Sequence, residues 1–171
     1  SSQKAKKPLL INDLKEIINI IDKLKVKDYT KIRNKALILV GFAGGFRRSE
    51  LVSIEHEDVE FVREGVKIFV KRSKTDQSGE GMTKAIPSFN NLNYCPVSHL
   101  EDWMFTKENK KGKIFSISDR SVALIIKKYA NLAGLDPNKY AGHSLRSGFA
   151  TSTAESGAEE RNIMAMTGHK T

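Results

Sequence analysis

Cysteine is almost absent: Cys95 stands alone among 171 residues. No disulfide can form within the chain, and an oxidising compartment is not indicated. No apolar run is long enough to span a membrane. His56, His99, His143 and His169 show neither His-x-x-x-His nor any spacing to Cys95 that suits a metal. Gly-x-Gly-x-x-Gly, a phosphate-binding P-loop and Gly-x-Ser-x-Gly are missing too. No cluster of Asp and Glu is set to hold a pair of magnesium ions. Any chemistry is therefore expected from Arg, His and Lys, without metal or cofactor. Acidic residues are also in deficit. The 29 Lys and Arg outnumber 20 Asp and Glu, a net charge of +9, which points to an anionic partner, most often nucleic acid. A merely basic protein is the plainer reading, and charge alone does not exclude it.

The apolar content of 39% and the length suit one soluble domain with a real core. The opening "SSQKAKKP", residues 1–8, has no apolar signal core and reads as a basic linker, with added residues in front of it. Apolar residues at Leu14, Ile17, Ile18, Ile21 and Leu24 predict a helix capped by Asn12 or Asp13. A second helix is predicted from about Asp28 to Ala43, apolar on every side near its end and so central to the core. Gly44-Gly45 breaks it, and a short helix in "RRSELVSI" follows. "VKIFVKR" (66–72) and "MTKAIP" (82–87) read as strands joined by a polar stretch. Helices resume after Pro96 and near Ser118, the latter burying Val122, Ile125, Ile126 and Tyr129 and stopping at Gly134. Two more are predicted in "SLRSGFATSTAES" and "EERNIMAMT". The expected fold class is α+β, mostly α, with a small antiparallel sheet inserted after the third helix.

Four stretches carry candidate chemistry. "GGFRRSEL" (44–51) turns sharply into a helix that places Arg47 and Glu50 on one face. An intrahelical ion pair at the surface is the plain alternative. The ribbon crowds Lys67, Lys71, Arg72, Lys74 and Lys84 together. They either protect an edge strand or deliver Lys74 to a phosphate on a mobile loop. "GHSLRSG" (142–148) sets His143 and Arg146 on the first turn of a helix, where free backbone N–H groups favour an anion. "TGHK" (167–170) places His169 after a glycine stop, either as a cap or as a further donor.

In this order the four stretches resemble the catalytic domain of tyrosine recombinases, the phage-integrase family. The resemblance runs from about Leu10 to Thr171, and residues 9–171 are expected to form that domain. It implies catalytic roles for Arg47, Lys74, His143, Arg146 and His169, with Glu50 orienting the site and Lys84 a weaker claimant to the hairpin lysine. DNA contacts are expected at Arg48, Lys71, Arg72, Lys84 and Lys170. The family nucleophile is a tyrosine roughly nine residues beyond the position of His169. Tyr29, Tyr94, Tyr129 and Tyr140 all precede His143 and are read as structural. The expectation is thus a domain whose nucleophile is absent from these residues, and which is inactive alone.

The implied reaction is transesterification. Tyrosine attacks a DNA phosphodiester, leaving a 3′-phosphotyrosyl enzyme and a free 5′-hydroxyl, so the bond energy is kept for rejoining. The implied partners are double-stranded DNA and, for the full-length protein, three further copies on paired sites. The fragment itself is expected to be monomeric without DNA, away from any membrane, cytoplasmic and DNA-associated. Two alternatives stay open: a non-catalytic DNA-binding module of the same ancestry, and a tyrosine supplied by a partner subunit.

Overall fold

The computed structural model describes residues 11–71 and 79–139. Expectations for residues 1–8, for Arg72 and Lys74, and for everything from Tyr140 to Thr171 lie outside them. Among the described residues the elements run α1 (Ile11–Lys23), α2 (Asp28–Gly44), α3 (Arg48–Ser53), β1 (Val59–Phe61), β2 (Gly65–Val70), β3 (Met82–Pro87), α4 (Pro96–Thr106) and α5 (Asp119–Leu132). Short 3₁₀ turns fall at His56–Asp58, Leu92–Tyr94 and Pro137–Lys139. The mostly helical α+β expectation holds, with the sheet entering after the third helix.

α1 buries the predicted stripe of Leu14, Ile17, Ile18 and Ile21. Each such side chain contributes about 1.5–3 kcal/mol. The helix is already under way at Ile11, so Asn12 and Asp13 sit in its first turn rather than at its cap. There the Asp13 carboxylate complements the positive end of the helix dipole. α2 is buried on all sides from Ala36 to Gly44 and packs along α4, which explains its poor amphipathicity. Buried Asn34 ties it to α5: its Nδ2 donates to Tyr129 Oη at 2.6 Å. α4 starts with Pro96, whose missing N–H costs nothing at a helix start. α5 is capped by Ser118, whose Oγ accepts from the Ser121 N–H at 3.1 Å. It closes at Gly134, where φ is +79° and Leu135 N–H returns to Ala130 O at 2.8 Å. Ile125 is only half-buried, because the buried stripe runs through Val122, Ala123, Ile126, Tyr129 and Ala130.

The sheet is a three-stranded antiparallel meander in the order β1-β2-β3. β1 was not foreseen; three residues are too few for alternation to show. Its register pairs Glu60 with Lys67, and the β2–β3 register pairs Ile68 with Lys84 and Phe69 with Thr83. Directly paired residues point to the same side of a sheet. Val66, Ile68, Val70, Lys84 and Ile86 therefore share the face turned to the core, while Glu60, Lys67, Phe69 and Thr83 share the other. Gly65 allows the close approach of β2 to β3: a Cβ there would lie 2.0 Å from Ile86 O.

Candidate active site

The site begins where α2 stops. Gly45 takes a left-handed conformation (φ 61°) that glycine adopts without penalty. Its N–H donates to Phe42 O at 3.2 Å and the Phe46 N–H to Gly41 O at 3.0 Å, the paired bonds of a helix-terminating glycine turn. A Cβ on Gly44 would lie 2.2 Å from the Phe46 ring, so the turn has no room for a side chain there. Phe46 is fully buried and plugs the turn into the core.

Arg47 follows at once, in extended conformation (φ −71°, ψ 151°), at the cap position of α3. Its backbone N–H donates to Glu50 Oε1 at 2.8 Å. Glu50 thus caps the main chain that presents Arg47. Arg47, Arg48 and Glu50 are all half-buried.

The ribbon lysines do not act as one group. Lys84 turns inward: its Nζ donates to Gly44 O at 2.9 Å and Gly45 O at 3.2 Å. The same ammonium sits 5.1 Å from the centre of the Phe46 ring. Lys67 lies on the opposite face, across from Glu60. Lys71, for which a DNA contact is expected, lies among carboxylates, with Glu55 at 2.8 Å, Glu57 at 3.4 Å and Asp58 at 3.5 Å. Glu55 holds the Lys71 ammonium well above the usual lysine range, and Lys71 in turn holds the Glu55 carboxyl below the usual carboxylate range. Asp58 is the buried member, and its Oδ2 also accepts from the Glu55 N–H at 3.0 Å. Near it lies a hollow of about 620 Å³, lined by Glu57, Asp58, Glu60, Lys67, Phe69, Met82 and Thr83; its carboxylates suit no phosphate.

The structure therefore gathers Arg47, Glu50 and Lys84 around the end of α2 and sets Lys67 and Lys71 apart from them. Lys74, Arg72, His143, Arg146, His169 and Lys170 fall outside the described residues. Three of the four tyrosines have structural partners. Tyr129 accepts from Asn34, Tyr94 Oη donates to Asn19 Oδ1 at 2.8 Å, and Tyr29 meets Trp103 edge-to-face at 4.9 Å. Tyr140 is not among the described residues. Two further basic groups are perturbed away from the site. Burial lowers the Lys107 ammonium, whose Nζ donates to Asn109 O at 2.7 Å and Lys113 O at 3.1 Å and meets His56 Nε2 at 3.3 Å. Burial also lowers His99, whose Nδ1 lies 2.8 Å from Cys95 O. Both fasten local backbone. Among the described residues no three His, Cys, Asp or Glu side chains are grouped to hold a metal.

The inward turn of Lys84 was the feature missed. Its signal was the two-residue spacing to Ile86, an apolar neighbour on the same strand face.

The sequence profile of the Phage integrase family matches residues 8–171. The chain belongs to the phage integrase family. An integrase/recombinase xerD homolog of Selenomonas ruminantium is 44% identical over 98% of this chain and 52% of its own length. A tyrosine recombinase XerA of Pyrococcus horikoshii is 27% identical over 95% of this chain and 53% of its own length. The chain thus spans about half the length of these relatives. Among solved structures, XerH site-specific recombinase bound to palindromic difH substrate superimposes with a TM-score of 0.71 at 20% identity, over 98% of this chain and 48% of that one. XerA recombinase superimposes with a TM-score of 0.68 at 19% identity, over all of this chain and 57% of that one. At such identities the likeness shows the integrase fold. The Arg47 turn, the inserted sheet and α5 are thus parts of a phage-integrase fold.

Proposed function

We propose that residues 9–171 form the catalytic domain of a site-specific DNA recombinase, preceded by a basic linker in residues 1–8. The reading rests above all on one observation: Arg47, inside the matched family region, follows a glycine turn and its backbone N–H is held by Glu50. Its partners in the reaction are assigned from the sequence. Arg47 and Arg146 clamp the non-bridging oxygens of the scissile phosphate, because planar, permanently charged guanidiniums match them in bidentate fashion. His169 adds a donor. Tyrosine oxygen attacks phosphorus and its proton passes to His143, or His143 donates to the phosphate. The P–O5′ bond breaks, and Lys74 gives the leaving oxygen its proton. The product is a 3′-phosphotyrosyl link that a second 5′-hydroxyl can reverse without ATP.

None of the four tyrosines here takes the nucleophile's place, so the nucleophile comes from outside these 171 residues. Double-stranded DNA is the partner, bound by a tetramer on paired sites when the tyrosine is present. These residues alone are monomeric without DNA. The protein is DNA-associated in the cytoplasm.

The test uses nicked suicide DNA, which traps the covalent adduct. The tyrosine-bearing protein is expected to form it, and these 171 residues are not. An adduct formed by these residues alone overturns the assignment of the nucleophile. Salt-dependent duplex binding with no adduct from the longer protein favours a DNA-binding module without catalysis. Rescue only by a tyrosine-bearing, arginine-dead partner assigns cleavage in trans.

A further inference from the structure

Lys84 has the three features of a strut between the sheet and the arginine turn. It projects from the middle of β3 toward the core, paired with Ile68. Its ammonium donates to two successive carbonyls, Gly44 O and Gly45 O, at the end of α2. Those carbonyls immediately precede Phe46 and Arg47. The glycine turn uses the N–H groups of Gly45 and Phe46 to satisfy Gly41 and Phe42. The carbonyls of Gly44 and Gly45 point on past the helix end, where a cation is favoured by the dipole. The turn is also wedged against the same strand by packing, since a Cβ on Gly44 would sit 3.3 Å from Ile86 Cδ1.

We infer that Lys84 is a positioning residue for Arg47: it holds the Gly44–Phe46 turn against β3 and so sets where the guanidinium meets the phosphate. This rests on the catalytic reading above. The two carbonyls orient the ammonium against the turn that leads into Arg47. A displaced clamp costs rate more than binding, because a misplacement of about 1 Å lowers turnover by roughly 10²-fold.

The test is Lys84→Met, which keeps most of the stem and removes the donors, in the protein bearing its tyrosine. Single-turnover cleavage is expected to slow by about ten- to a hundred-fold while the DNA concentration for half-saturation shifts less than about threefold. Amide hydrogen exchange at Gly45, Phe46 and Arg47 is expected to rise by about tenfold, with α1 and α5 unchanged. Replacing the bridging 5′-oxygen with sulfur, whose thiolate leaves without a proton, should not restore the rate. Restoration by sulfur would make Lys84 the general acid and overturn the inference. So would unchanged exchange at the turn, or a loss carried by DNA affinity alone. If the wild-type protein forms no adduct, the catalytic reading fails. The exchange at the turn then decides by itself whether Lys84 holds it.

Discussion

Lys84 and Lys71 leave the same small sheet, and each ammonium is met by several oxygens, yet the two regions are built differently. At the end of α2 the oxygens are main-chain carbonyls, half-buried behind Phe46. They orient the ammonium toward the main chain of the turn. At the outer rim the oxygens belong to the carboxylates of Glu55, Glu57 and Asp58, so the Lys71 ammonium is met by negative charge. Carboxylates gather at this rim although the chain as a whole carries +9. Counting lysines along the ribbon therefore says nothing of how each one is already engaged. What matters is which oxygens each lysine already holds.

The largest expected effect tests the arginine side. Arg47→Ala should lower adduct formation by the tyrosine-bearing protein about 10²–10³-fold with little change in melting temperature. Arg47→Lys should not recover it, because a point charge cannot replace a bidentate fork. A mild loss would mean the turn is scaffold rather than clamp. Next, Gly44→Ala forces a methyl into the Phe46 ring at 2.2 Å. It should destabilise the fold by about 1–3 kcal/mol in denaturant melts. Stability equal to wild type would show that the turn yields more readily than its packing suggests. Glu50→Ala removes the carboxylate that accepts the Arg47 N–H. A loss of about 0.5–2 kcal/mol is expected, together with slower cleavage, while Glu50→Gln, which keeps an acceptor, should lose less of both.

The smallest effects belong to the rim. Lys71→Met should leave the salt dependence of DNA binding unchanged, whereas removing a phosphate-contacting lysine would reduce the slope by about 1. A reduced slope would restore Lys71 to the DNA interface. The rim also has a pH signature. The depressed Glu55 carboxyl adds stability above its unfolded pKa, lost as pH falls through its lower folded value. Raised Lys71 adds stability that is complete below its unfolded pKa and lost only as pH climbs through its folded value. The cluster should therefore persist through neutral pH and loosen in acid, seen as faster exchange at the Glu55 amide. Because Lys71 is exposed, its pairs should change global stability little.

Much of the fold was legible because long elements repeat their signal. Leu14, Ile17, Ile18 and Ile21 mark one face of α1 across several turns, and Gly45 and Gly134 mark where helices stop. β1 was not legible, since Val59–Phe61 is only three residues long and its pairing depends on β2. For the site, the motif order pointed to Arg47 and Glu50. It was silent on which atoms of Arg47 Glu50 would touch, because a carboxylate three residues along can reach either the guanidinium or the main-chain N–H.

The sequence by itself determined the helical periodicity, the glycine turn and the ordered boxes that mark the family. These depend on local sterics and short spacings, which each residue carries wherever the chain goes. Only the tertiary structure decided what each lysine does. Lys84 and Gly44 are forty residues apart, and Lys71 and Glu55 sixteen. Charge is a property of the side chain, but the partner that meets it is chosen by strand register and packing.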